Sequence, residues 1–274
     1  MQPVFRFAPS PNGHLHLGHA FSALLNARMA AEKGGRFLIR IEDIDTSRCT
    51  DSLVADCLDD LAWLGLAWEE PVLRQSTQFA RYGAAADSLA SHGLVFRCTC
   101  TRGDIQKAAG EDAPRDPDGA ILYPGTCRDH GAGEGPFALR LDCRAGIATL
   151  SGPLHWRETG EGAEQVIPAD PSIWGDVVLI RKDVPASYHL AVALDDAMQG
   201  VTHVVRGRDL YAATAIHRLL QSLLGLPAPV YHHHALILDE EGKKLSKSAV
   251  STPLRQLRAQ GVTAGDIRRR LGFG

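Results

Sequence analysis

Two histidines three positions apart, in His16-Leu17-Gly18-His19, follow a Pro-Ser-Pro-Asn-Gly turn and open a helical pattern. At a helix start the unpaired N–H groups and the positive dipole end favour an anion. Side chains at this spacing share one face of the first turn. Imidazole N–H groups there could stabilise negative charge developing on an α-phosphate under attack. Gly18 leaves room for close approach of a nucleotide ring or ribose. Taken alone, a helix start with two incidental histidines stays open as the alternative, and a zinc pair is disfavoured because no His-Glu-x-x-His pattern accompanies them.

Near the other end, Lys243-Lys244-Leu245-Ser246-Lys247-Ser248 follows the polar turn Asp239-Glu240-Glu241-Gly242. Lysine ammoniums are compact charges on long stems, able to follow phosphates as a leaving group departs. Lys244, Ser246 and Lys247 are therefore candidate nucleotide contacts on a loop closing over a triphosphate, although a basic surface loop is the default for the segment by itself.

Three of the six cysteines cluster. Cys98, Cys100 and Cys127, with Tyr123 between them, could supply three thiolates and one phenolate to a tetrahedral Zn2+. His130 competes for the fourth position. Cys49, Cys57 and Cys143 are scattered and read as small buried side chains. With no export signal at the N-terminus, a disulfide framework is disfavoured. For the tandem His232-His233-His234, packing beside a nucleotide pocket is favoured over metal binding.

The elements that must position these groups follow from periodicity. Residues 4–7 read as a strand, 8–13 as a turn-rich loop, 17–32 as a helix stopped by Gly34-Gly35, and 36–41 as a second strand ending at Glu42-Asp43. That order is a βαβ unit and predicts a parallel sheet with a right-handed crossover. Ligands in such sheets bind at the carboxyl ends of the strands, where Arg6 and Glu42 lie. Their opposite charges suit an amino acid's carboxylate and ammonium, and equally a structural ion pair. Helices are expected over 51–64 and 78–92 and a strand over 95–97. Residues 101–135, rich in Gly, Pro, Asp and Glu, should carry little regular structure. Strands are expected at 137–143, 175–181, 201–205 and 230–238, and helices at 190–199 and 211–224.

The predicted fold class is α/β: a Rossmann-like, doubly wound parallel sheet with a zinc-binding insertion and a short helical tail. Its expected parts are 1–97 and 172–238 as the two halves of the catalytic domain, 98–171 as the insertion, and 239–274 as the Lys-Leu-Ser-Lys-Ser loop and tail.

Composition bounds the remaining possibilities. The 274 residues are 45% hydrophobic and 22% charged, which suits an ordinary globular chain. A formal net charge of -3 argues against a general nucleic-acid coat and leaves RNA contact to a local patch. Arg255, Arg258, Arg268, Arg269 and Arg270 form the best such patch, with a solvated helix face as the favoured reading. No apolar run is long enough to span a membrane. A cytoplasmic monomer is expected, with no membrane partner.

Taken together, the two nucleotide segments resemble, in order and context, the paired signatures of class I aminoacyl-tRNA synthetases. Each differs from the family pattern by a Leu at its apolar position. Arg6-Phe7-Ala8-Pro9-Ser10-Pro11-Asn12-Gly13-His14-Leu15, Arg40-Ile41-Glu42-Asp43-Ile44-Asp45, Tyr188-His189-Leu190-Ala191 and Val205-Arg206-Gly207 are similar to the glutamyl branch. By this resemblance Arg6 and Arg206 bind substrate carboxylate, Glu42 binds the ammonium, Tyr188 shapes the pocket, and Phe7, Ala8, Pro9 and Ser10 line it. His16, His19 and Lys247 are then the catalytic residues, and ATP contacts come from His16, Gly18, His19, Lys244, Ser246 and Lys247.

The resemblance implies a two-step reaction. Glutamate is activated by ATP with Mg2+, and the adenylate then acylates an RNA hydroxyl. The chain ends shortly after Ser248, without the anticodon-reading helical domain expected of a full glutamyl-tRNA synthetase. That points to the truncated paralogues of the branch, whose acceptor is the queuosine base in the anticodon of tRNA(Asp). The alternatives are a glutamyl-tRNA synthetase core charging the 3′ end of tRNA(Glu), and a non-catalytic RNA- or glutamate-binding paralogue.

Overall fold

The computed structural model describes residues 2–160, 162–237 and 252–274. Its strands are β1 (Val4–Phe7), β2 (Arg36–Ile41), β3 (Glu69–Arg74), β4 (Val95–Cys98), β5 (Ala138–Leu141), β6 (His155–Glu158), β7 (Gln165–Pro168), β8 (Val178–Ile180), β9 (His203–Gly207) and β10 (Val230–His234). The helices are α1 (Leu17–Glu32), α2 (Asp51–Trp63), α3 (Phe79–Ser91), α4 (Arg102–Ala109), α5 (Thr126–His130), α6 (Cys143–Ala148), α7 (Tyr188–Met198), α8 (Ala213–Leu223), α9 (Leu254–Ala259) and α10 (Ala264–Arg270).

Seven strands form the main sheet in the order β3-β2-β1-β9-β10-β6-β7. All adjacent pairs are parallel except β6 and β7, which run antiparallel at one edge. β1 lies inside the sheet between β2 and β9, and all four of its residues are buried, as a strand covered on both faces requires. From β1 the chain winds outward to β2 and β3, whereas β9 starts the other half beside β1. A switch point of this kind opens a crevice at the carboxyl ends of β1 and β9. The predicted doubly wound sheet is present, with one antiparallel edge.

A second, three-stranded antiparallel sheet, β4-β5-β8, stands apart. It packs with α3 and α7 over a core containing Tyr82, Leu89, Leu141, Leu179, Leu190 and Ile216. The strand at 178–180 thus belongs to this small sheet, while β6 and β7 join the large one. β3, β6 and β7 have no counterpart among the expected strands. β3 and β7 carry Glu69-Glu70-Pro71 and Gln165-Val166-Ile167-Pro168 on exposed edges, where no alternation is imposed by burial, whereas β6 lies between β10 and β7 and buries Trp156 and Glu158 in alternation. The segment 101–135 is less irregular than its composition suggests, holding α4, capped by Thr101 and Asp104, and α5.

The tail packs back on the domain. Leu254 donates its N–H to the Leu15 carbonyl at 2.8 Å, and Leu254 and Ile267 join the core beneath α1 and α2. Arg255 pairs with Asp56, Arg258 with Asp59 at 2.8 Å, and Arg268 donates to the Leu64 carbonyl. Three of the five tail arginines therefore serve to dock it. No helix among the described residues is long and apolar enough to cross a membrane.

Candidate active site

A cavity of about 490 Å³ opens at the switch point. Its walls come from the end of β1 and the following loop (Arg6, Phe7, Ala8, Pro9, Ser10), the start of α1 (His16, Gly18, His19), Glu42 after β2, Tyr188 at the start of α7, Arg206 in β9, and His234 in β10. Every glutamate- and nucleotide-site residue predicted from the sequence outside 238–251 lines this one space. Lys244, Ser246 and Lys247 lie outside the described residues.

His16 caps α1 in an extended conformation. Its Nδ1 accepts from the Gly18 N–H at 3.1 Å, and the His16 N–H donates to His19 Nδ1 at 3.2 Å. Each neutral ring thus carries its hydrogen on Nε2. The two rings lie 3.8 Å apart, so a pair of N–H donors is held at the positive end of a helix. A Cβ on residue 18 would meet the His16 ring at 3.0 Å. Gly18 therefore makes room for the cap itself, a role not visible in the motif.

Beneath the opposite wall runs a buried ionic network. Arg6 Nε donates to Asp196 at 2.9 Å. Arg40 Nη1 donates to the same carboxylate at 2.7 Å, and its Nη2 donates to Glu42 at 3.2 Å. Arg40 is fully buried and held charged by Asp196 and Glu42 against the cost of burial. Burial pushes the Glu42 carboxyl up against the pull of Arg40 and Arg6. At Asp196 burial is outweighed by the same two guanidiniums, which hold its carboxyl below the ordinary range. Arg6 and Glu42 do not pair directly with one another. Arg40 and Asp196, which join them, were missed by sequence reasoning.

Arg206 is different. Its Nε donates to His233 Nε2 at 3.1 Å, Nη2 to the Leu210 carbonyl and Thr214 hydroxyl, and Nη1 to Tyr188 Oη at 3.4 Å and His217 Nδ1 at 3.3 Å. All these acceptors are neutral groups. Among the described residues no carboxylate forms an ion pair with it. The Tyr188 phenol is pushed up to about 12 by burial and so stays protonated near neutrality.

Of the three tandem histidines, His234 lines the cavity, His233 is buried against Glu158 and Arg206, and His232 sits beside Thr159. They do not form a metal group among the described residues.

The cysteine cluster lies beyond the end of β4. The sulfurs of Cys98, Cys100 and Cys127 fall within 4.8 Å of one another. Tyr123 Oη is 3.6 Å from Cys100 Sγ and accepts the Cys127 N–H at 2.7 Å. His130, exposed at the end of α5, is not part of this group. Burial raises the Cys100 thiol to about 11, whereas at Cys127 burial is overcome by hydrogen bonds, chiefly from Tyr123, that bring it to about 6. Three convergent sulfurs with one easily ionised fit a thiolate-preferring cation.

A doubly wound sheet with an anion-ready helix start and a polar cavity at its switch point is the arrangement of a class I synthetase catalytic domain. The family described as tRNA synthetases class I (E and Q), catalytic domain, matches residues 4–271, and the chain belongs to it. Over 98% of its length and 100% of the relative's, the chain is 51% identical to the glutamyl-Q tRNA(Asp) synthetase of Rhodobacter capsulatus. It is 44% identical to the protein of the same name from Nocardia farcinica, over 88% of this chain and 75% of that one. A crystal structure of a glutamate tRNA ligase from Elizabethkingia meningosepticum in complex with its amino acid superposes with a TM-score of 0.73 at 27% identity. The match covers 96% of this chain and 54% of that one, so the chain spans about half of the larger enzyme.

Proposed function

We propose that this protein activates glutamate with ATP and transfers it to the queuosine base in the anticodon of tRNA(Asp). The observation that carries the reading is that one cavity holds both the Glu42 carboxylate and an Arg206 cation that has no carboxylate partner among the described residues. Glutamate brings two carboxylates and one ammonium. One carboxylate can take Arg206, whose longest hydrogen bonds, both from Nη1, are the easiest to redirect. Tyr188 accepts from Arg206, which leaves its own O–H to donate to the same carboxylate. The ammonium is served by Glu42. Arg6, already bound to Asp196, lends its field to the second carboxylate.

His16 and His19 offer their Nε2–H groups to the ATP phosphates as charge builds in the transition state, and Lys247 would neutralise departing pyrophosphate. Magnesium arriving with ATP supplies charge neutralisation on the phosphates. Cys98, Cys100, Cys127 and Tyr123 would hold one zinc, whose binding energy would help to order a segment poor in apolar contacts. In this reading the segment from Cys98 onward carries the metal group, although β6 and β7, placed in the insertion by the sequence, return to the main sheet, and β8, placed in the second half, joins the small one.

Glutamate-dependent ATP–pyrophosphate exchange in the absence of RNA tests the activation step. Exchange supported by glutamate and not by aspartate or glutamine is expected. Exchange with either of the others and not with glutamate would overturn the substrate assignment.

A further inference from the structure

We propose that Thr214, His217 and His233 are positioning residues that hold Arg206 as a cation without a carboxylate partner among the described residues, and that this neutral cage is what makes the cavity demand an anionic group from its substrate. The inference rests on the reading of the cavity as a glutamate site.

The hydrogen positions follow from the guanidinium, which can only donate. His217 Nδ1 must accept from Arg206, so the hydrogen of the neutral ring is on Nε2, which donates to His189 Nδ1 at 3.2 Å. His233 Nε2 must likewise accept, so its hydrogen is on Nδ1 and donates to Glu158 Oε2 at 2.6 Å. Glu158 is fixed in turn by the N–H groups of His233 and Gly160, each at 2.9 Å, and by Trp156 Nε1 at 3.1 Å. A Cβ at Gly160 would fall 2.4 Å from the His233 carbonyl oxygen and 2.8 Å from Glu158 Oε1, so this turn admits only glycine.

Glu158 is therefore kept one imidazole away from Arg206. A carboxylate in direct contact would satisfy the cation and remove its need for an anionic partner. Imidazole and hydroxyl acceptors orient the fork without cancelling its charge. The cage lies behind the cavity wall: Thr214, His217 and His233 are all buried, and none of them lines the cavity.

The test uses isosteric pairs that differ only in charge. His217→Asn keeps an acceptor near the Nδ1 position, and His217→Asp puts a carboxylate there. KM values for glutamate and for ATP are measured by pyrophosphate exchange, with thermal unfolding to confirm folding. Losing a charge-assisted contact is worth about tenfold or more. We expect His217→Asp to raise the glutamate KM by at least about that factor while the ATP KM stays within about threefold, and His217→Asn to remain close to wild type. If His217→Asp does not fold, His233→Gln and His233→Glu form the second pair, with the same expectation. Equal glutamate KM values within a folded pair overturn the inference. A wild-type protein that fails to activate glutamate overturns the underlying reading, and the inference with it.

Discussion

Arg6 Nε lies 2.9 Å from Asp196 Oδ1, although 190 positions separate the two residues in the chain. The contact joins the end of β1 to the end of α7 across the switch point, and Arg40 shares the same carboxylate. One buried anion thus serves two buried cations. Asp196→Asn should remove the carboxylate both guanidiniums donate to, leaving Glu42 and the field of Asp195, and destabilise the fold by about 3 kcal/mol, the usual scale for breaking a buried ion pair. Denaturant unfolding reads this directly. A loss below about 1 kcal/mol would mean that the network is not what fixes the cavity wall.

The site was legible in the sequence where residue type and position along an element coincide. Arg6 and Glu42 sit at the ends of alternating strands, and His16 and His19 open a helix behind a proline-rich turn. Arg40 and Asp196 were not legible. One reads as an ordinary polar position in a strand and the other as a polar position in a helix, and only packing shows that both are buried. The same holds for Glu158, which the sequence places in an insertion but which reaches Arg206 through His233. β3 and β7 escaped because exposed edge strands need not alternate, and β6 because one of its two inward side chains is the carboxylate of Glu158, whereas β1 and β2 were found because buried Phe, Leu and Ile recur along them.

The histidines behind Arg206 give the fold an acid-labile element. Desolvation among Trp174, Tyr188 and His217, with Arg206 nearby, lowers His189 to about 4, and His217 is lowered as well. Above the ordinary histidine value near 6.5 both folded and unfolded forms are neutral, and neither residue makes stability depend on pH. Below it the unfolded chain takes up the proton first, so stability falls as pH drops from about 6.5 towards about 4. Unfolding free energy measured across this range should decline more steeply for wild type than for His189→Asn, which keeps the acceptor and cannot titrate. Parallel curves would contradict the assignment of neutral imidazoles.

The cysteine cluster predicts one zinc per chain. Elemental analysis of the purified protein should find it, and Cys100→Ser should lower its occupancy and expose 98–130 to proteolysis before the rest of the chain. A well-folded preparation without metal would rule out Cys98, Cys100, Tyr123 and Cys127 as a working zinc site.

The acceptor is tested most directly by following labelled glutamate onto tRNA(Asp). In this reading the anticodon loop enters the cleft and a base is held there, as specific recognition of single-stranded RNA loops usually requires. Its cyclopentene diol presents the hydroxyl that is acylated. Transfer is expected to tRNA(Asp) carrying queuosine, to be absent from tRNA(Asp) lacking it, and to survive removal of the 3′ terminal adenosine. Label that disappears with that adenosine, or that appears only on tRNA(Glu), would contradict the account and identify a 3′-end charging enzyme instead.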